Sequence, residues 1–491
     1  RRTGDLATNL DARFSWPGFF IFGAFLPAII GVPSTLTFLA WAPVFFNILY
    51  CLPLYAIYTS LTSDRRLAWL ALWFFCLGNW VGQDYWSPQA LNLFMFLVIV
   101  AILLRFFRVV PNQSGSPATG MHPLQQPGLL DRITAPVVAR MRAAEAEPVR
   151  VADWQRTGLA LCLVVIMFFI ASSHQLTPFF VIAAVTALVG LNRVRLRTFL
   201  PITLVLTAVW ISYMTVAFLS GHIHDLLADF GSVGSVMSAN VGERIRGSPE
   251  HQIVVYVRIL MTVAMGIVGV FGVIRRWFIG VVDIIPIALS ITPFTMLVFQ
   301  SYGGELILRG YFIALPFMAF LAAGLFFARQ RSIPRFVHLA ALVVVGIGFL
   351  AGFFLARYGN ERMDYVTEEE LEGIEYVYAT APPGSALIII SPNLPLRYRN
   401  TEQYFYLPGL QEFYLAEITG VRELSQEQAD RDVFVIITRT QKAYAELFYG
   451  LQVGWGDQLE RQLLTASDFQ VLFQNRDASV FRYIGDERGL S

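Results

Sequence analysis

Apolar runs about as long as a bilayer is thick recur along this chain, and they leave few folds open to it. They fall at about 36–61, 66–81, 88–110, 157–172, 177–191, 199–220, 252–274, 277–300, 306–328 and 334–356. Some twenty apolar residues cross roughly 30 Å of hydrocarbon as a helix, and a helix satisfies its own backbone there. The expectation is a polytopic α-helical membrane protein of about 10 or 11 spans, with 66–81 and 177–191 the shortest. Charged residues make up only 14% of the chain and hydrophobic ones 56%, which excludes an ordinary soluble protein. The net charge of +1 comes with no basic tract that would bind nucleic acid. Cys51, Cys76 and Cys162 all lie in apolar runs, so they read as buried thiols rather than a disulfide framework or a metal site.

Arginine sets the orientation, because positively charged loops stay in the cytoplasm. One set of alternate loops carries Arg65 and Arg66, then Arg105, Arg108, Arg132, Arg140, Arg142, Arg150 and Arg156, then Arg193, Arg195 and Arg197, Arg275 and Arg276, and Arg329, Arg331 and Arg335. The opposite set has only Arg244 and Arg246. The loop around Asp84, the turn 172–178, the loop 221–250, the turn 300–305 and the tail 357–491 are therefore expected outside. The organisation read from this is an outer juxtamembrane segment with an interfacial helix (1–35), spans over 36–110, and a cytoplasmic loop (111–156) with a surface helix near 129–146. More spans follow over 157–356, then an extracytoplasmic α/β domain (357–491). The interfacial helix is Trp16–Gly31, interrupted by Pro27 and too short to span comfortably. The chain opens Arg1-Arg2-Thr3 without Met, so a preceding segment is expected.

The tail changes period. Thr367 with Glu370 three residues on reads as a capping box for a helix over 368–379. Residues 386–390 and 432–438 read as buried strands, a helix follows over 441–449, and Asn475-Arg476-Asp477 joins two strands as a hairpin. Strands alternating with helices imply a small α/β domain.

The most informative polar stretch is Asn79-Trp80-Val81-Gly82-Gln83-Asp84-Tyr85-Trp86-Ser87-Pro88-Gln89, set between two apolar runs and free of Lys and Arg. A hairpin needs only a polar turn; this one has the residues of a substrate-facing surface. An ionisable group beside lipid is a functional candidate by default, although Asp84 could instead cap the helix starting near Pro88. His174, in the turn Ser173-His174-Gln175-Leu176-Thr177-Pro178, could bind a metal or a phosphate, or simply be a solvated turn residue. Glu305 and Arg309 are spaced i, i+4 on one helix face; they could form an internal ion pair, or Arg309 could grip a lipid phosphate, with Arg258 a weaker second candidate. In the loop 221–250, His222, His224, Asp225 and Asp229 invite a metal reading that their spacing does not support.

Four patches together resemble the GT-C superfamily of multispanning glycosyltransferases that use polyprenyl-phosphate sugars, and are similar to its family 39-type enzymes. They are Asp11-Ala12-Arg13-Phe14-Ser15-Trp16-Pro17-Gly18, the loop Gln83–Gln89, the turn Ser173–Pro178, and the tail with Ala381-Pro382-Pro383-Gly384 and its hairpin. The resemblance is architectural and covers nearly the whole chain. It departs at the first external loop, where such enzymes carry an acidic motif and this chain has only Asp5 and Asp11. What it implies is inverting transfer from a polyprenyl-phosphate sugar to a glycan, lipid or protein acceptor on the outer face of a plasma membrane. Asp11 and Asp84 would be catalytic, Arg309, Arg258 and His174 would hold the donor phosphate, and Gln83, Gln89 and Glu305 would contact substrate. No cofactor is required by it; a divalent cation enters only if Asp11, Asp84 and His174 converge. The alternatives are a transporter or flippase for lipid-linked glycans, which predicts internal repeats and mid-membrane charges, and an envelope glycan polymerase or ligase, which predicts basic outer loops.

Overall fold

The computed structural model describes residues 12–32, 35–109, 149–216, 245–298, 305–327, 335–396, 403–408, 417–428 and 430–485. Asp11, the residues 222–229 and the surface helix near 129–146 lie outside them. The chain divides into two units, Arg1–Val241 with Arg258–Phe353, and Gly242–Val257 with Phe354–Ser491.

The helices in the first stretch are α1 (Ala12–Ser15), α2 (Gly18–Ile30), α3 (Ala42–Leu61), α4 (Arg65–Gly78), α5 (Pro88–Phe106), α6 (Asp153–Ser173), α7 (Thr177–Gly190) and α8 (Phe199–Met214). They are followed by α9 (Pro249–Phe278), α10 (Ile284–Ile291), α11 (Leu306–Ala323) and α12 (Arg335–Tyr358). Among the described residues, six helices are long and apolar enough to cross a membrane: Ala42–Leu61, Pro88–Phe106, Asp153–Ser173, Pro249–Phe278, Leu306–Ala323 and Leu339–Asp364. Gly18–Ile30, Thr177–Gly190, Phe199–Met214 and Ile284–Leu297 are apolar but shorter. The chain is thus a multi-pass membrane protein by the length and composition of its helices.

Three sequence expectations shift. The run read as starting at 36 begins as a helix only at Ala42, with Pro43 in its first turn, and Thr35–Phe38 forms a separate 3-10 turn. The runs 252–274 and 277–300 were expected as two spans parted at Arg275-Arg276. Instead α9 continues through both arginines to Phe278, and the break comes at Gly280, whose φ of 89° suits glycine. Arginine is a good helix former and favourable in a last turn. Arg276 then clamps Asp283 through two nitrogens, at 2.5 and 2.9 Å, in a buried pair that holds the turn. The cysteines differ too: Cys51 and Cys76 are half-buried but Cys162 is exposed, because α6 buries only one stripe of its surface.

The core of the membrane unit is α11, 78% of whose apolar window is buried, against 11% for Leu339–Asp364. It lies against α4 at Gly78, where a Cβ would fall 2.6 Å from Leu315 Cδ1 and 2.9 Å from Met265 Cε. Tyrosine hydroxyls tie the helices together: Tyr311 donates to Gly78 O (3.0 Å), Tyr58 to Pro316 O (2.7 Å) and Tyr50 to Ala90 O (2.9 Å). Where hydrocarbon surrounds a helix, such bonds satisfy groups that water cannot reach.

The second unit carries α13 (Glu361–Asp364), α14 (Glu368–Thr380), β1 (Ala386–Ile389), β2 (Phe405–Pro408), α15 (Ile418–Glu427), β3 (Val433–Thr438), α16 (Arg439–Leu447), α17 (Trp455–Thr465), β4 (Phe469–Gln474) and β5 (Ala478–Tyr483). The sheet order is β2-β1-β3-β5-β4, with β1 parallel to β2 and β3, and β5 antiparallel to β3 and β4. Alternate strand residues enter two cores: Ile388, Val435 and Ile437 meet Val421, Leu459 and Leu463 on one face, while Leu387, Phe434 and Ile436 meet Ile374 and Val377 on the other. That two-sided burial is why β1 and β3 read as continuous apolar runs. The capping box forms as expected, with Thr367 Oγ1 accepting from Glu370 N and Thr367 N donating to Glu370 Oε2. At the hairpin, Asn475 Oδ1 accepts from Asp477 N and Ala478 N.

Candidate active site

The loop from Asn79 to Ser87 closes the gap between α4 and α5, and its local chemistry fixes its shape. Ser87 Oγ accepts from Ala90 N and caps α5, with Pro88 as the first helical residue. Asp84 is therefore not the cap. Gly82 turns the chain at a φ of 74°. Trp86 anchors the loop against Phe19, Phe38 and Phe46, with ring centroids 5.6, 5.7 and 6.0 Å away.

Asp84 points inward and is only 2% exposed. Its Oδ2 accepts from Asn47 Nδ2 at 2.5 Å and lies 3.4 Å from Asn79 Nδ2. Asn79 Nδ2 also donates to Asn47 Oδ1 at 2.9 Å, so one carboxyl and two carboxamides form a closed polar triad. Asn79 Oδ1 is buried and has no hydrogen-bond partner among the described residues. Asn47, one turn into α3, is the residue that sequence reading missed. Its signal was there, since it is the only carboxamide in the apolar run 36–61.

Next to this triad is a second cluster. Arg309 donates to Glu305 Oε2 from Nη2 (2.6 Å) and Nε (3.2 Å), as the i, i+4 spacing foresaw. With its amide turned to satisfy its neighbours, Gln89 accepts from Arg309 Nη1 at 2.7 Å and donates to the side-chain oxygen of Gln83. Gln83 precedes Asp84, so the arginine cluster and the carboxyl triad both touch this loop. Arg258 sits over Trp80 at 5.9 Å, and Trp80 stacks on Tyr311 at 5.8 Å.

His174 ends α6 and is buried rather than solvated. Its Nδ1 lies 3.3 Å from Leu176 N, 3.2 Å from Thr177 N and 2.9 Å from Thr177 Oγ1, so it accepts from the first amides of α7 and acts as that helix's cap. Burial, and then the nearby Arg309 guanidinium, lowers the imidazole to about 3. At neutral pH it is uncharged, with the proton on Nε2. The same turn supports α2: a Cβ on Gly18 would fall 2.5 Å from Ser172 Oγ and 2.6 Å from Ser173 Oγ.

The structure brings Asp84, Gln83, Gln89, Glu305, Arg309, Arg258 and His174 to one end of the helices, while Asp11 lies outside the described residues. Among the described residues no group of three or more His, Cys, Asp or Glu converges to hold a metal ion.

No family model matches the sequence, and no curated protein matches it. Among solved structures, the chain is similar to the oligosaccharyltransferase of Archaeoglobus fulgidus with a tethered acceptor peptide containing the NVT sequon, at 11% identity and a TM-score of 0.47, over 97% of this chain and 66% of that one. The apo form of that enzyme gives 11% identity and 0.42, over 90% and 64%. Its complex with Zn and sulfate gives 12% and 0.40, over 89% and 61%. The chain spans just under two thirds of the length of these structures, and at this level the likeness assigns no role to any residue.

Proposed function

We propose that the protein is a GT-C-like membrane glycosyltransferase that moves a sugar from a polyprenyl-phosphate donor to an acceptor on the extracytoplasmic face. The observation that carries this reading is that the loop 79–87 touches two polar clusters, Asp84 with Asn47 and Asn79 on one side and, through Gln83, Gln89 with Arg309 and Glu305 on the other. Transfer with inversion needs a base for the acceptor hydroxyl and a cation for the departing phosphate. Asp84 takes the proton as the acceptor oxygen attacks the first carbon of the sugar. The bond from that carbon to the phosphate oxygen breaks, and polyprenyl phosphate leaves beside Arg309. Asn79 Oδ1, buried and without a hydrogen-bond partner among the described residues, offers an acceptor for a substrate hydroxyl once the triad opens. Arg258 lies farther along the same end, over Trp80, and adds positive charge.

His174 acts in this scheme as a neutral donor and as a cap, not as a cation. Gln83 and Gln89 set the direction of Arg309. Asp11, the first choice for the base on the resemblance alone, lies outside the described residues and stays a candidate for that role. The tail unit is given a structural role in this reading.

The test is transfer from a panel of polyprenyl-phosphate hexoses by purified protein in liposomes. Asp84→Asn and Arg309→Gln should each retain their fold and lose transfer. Full activity in both variants would remove the proposed roles.

A further inference from the structure

At the arginine-rich end of the helices, away from the candidate active site, α3 and α5 leave a groove between them. Pro53 and Ala56 on α3 face Phe94, Val98 and Ala101 on α5, and the floor is almost wholly apolar, with a volume of about 210 Å³. The hollow follows from the sequence. Ala56 and Ala101 are too small to fill the seam, while residues 94, 98, 101 and 105 recur on one face of α5. Arg105 is the one charged residue among those that line it. Its stem lines the apolar wall, and among the described residues its guanidinium bonds only to Thr59 Oγ1, at 3.5 Å.

Other arginines gather where Arg105 lies. Val109 N donates to Arg193 O and Arg195 N to Phe107 O, which hold the 193–195 segment against the end of α5. Arg108 bonds to Ser60 O on α3. Arginine at this end marks the cytoplasmic side, whose leaflet is rich in anionic lipid.

We propose that this groove binds one anionic phospholipid of the inner leaflet, with an acyl chain along α3 and α5 and the phosphate at Arg105. The site is independent of sugar transfer: its residues are distinct from Asp84 and Arg309 and it lies at the opposite end of α5 from Gln89.

The experiment is native mass spectrometry of the intact chain with phosphatidylglycerol or phosphatidylcholine added. Wild type should hold phosphatidylglycerol about tenfold more tightly, the scale of one charge-assisted hydrogen bond. Arg105→Gln should abolish that preference, and Ala56→Phe should weaken both lipids by filling the groove. Equal binding of the two lipids by wild type, a preference retained in Arg105→Gln, or displacement of the lipid by millimolar inorganic phosphate would overturn the proposal. Should a variant fail to fold, wild type with a lipid photo-reactive in its acyl chain decides. Labels on residues 52–56 and 94–106 support the site, and labels only elsewhere refute it.

Discussion

Two buried carboxyls, Asp84 in the membrane unit and Glu370 in the tail unit, have opposite surroundings. Glu370 is fully buried, and its oxygens accept from Thr440 N and Thr440 Oγ1 at 2.7 Å and from Thr367 N at 2.9 Å, with Arg439 Nη2 3.5 Å away. Two backbone amides and a hydroxyl hold it, and the amides cannot turn away. Asp84 is held by the side-chain amides of Asn47 and Asn79, which rotate about their own bonds. The first arrangement stabilises a fold. The second relies on side chains that can turn, as the proposed role of Asp84 as a general base would require.

That contrast can be broken at several points. The largest effect is expected from Asp84→Asn, which should lower sugar transfer by about 10²–10⁴-fold while shifting the melting temperature little, because the amide fits the same space. A large loss of thermal stability there would make Asp84 a second Glu370. Glu370→Gln should do the reverse, destabilising the tail by about 1–3 kcal/mol by mispairing a buried hydrogen-bonded group, seen as faster proteolysis of residues 354–491. Gly78→Ala should cost about 1–3 kcal/mol through overpacking against Leu315 and Met265, read as a lower melting temperature. Arg309→Lys keeps the charge but loses the fork that meets Glu305 and Gln89, and should weaken donor binding about tenfold.

The smallest effect concerns pH. His174 stays neutral down to about 3 in the folded protein, whereas an unfolded histidine titrates near 6.5. Its contribution to stability is therefore complete above pH 6.5, declines as pH falls through the interval and is gone below about 3. Replacing it with Gln should flatten that part of the stability profile and leave transfer between pH 7 and 8 with an unchanged pH dependence.

Much of this was legible in the chain. The capping box at Thr367 and Glu370 and the hairpin at Asn475 are local patterns, written in residues three or four apart. The i, i+4 pair of Glu305 and Arg309 is legible for the same reason, and the polar loop at 79–89 stands out from apolar surroundings. What was hidden is pairing across the fold. Nothing near Asp84 names Asn47, 37 positions away, and nothing near Glu370 names Thr440, 70 positions away. The course of α9 through Arg275 and Arg276 was misread because charge was taken to end a span, while helix propensity and the bond from Arg276 to Asp283 carry it to Phe278. The strand β2 is short and lies at the sheet edge, where little burial pattern is imposed.

The most direct measurement is a cryo-EM map of the protein with a polyprenyl-phosphate sugar bound. The account predicts the phosphate within hydrogen-bond distance of Arg309 and the first carbon of the sugar facing Asp84. A lipid phosphate held along the middle of the helices, with the loop at 79–89 empty, would contradict it.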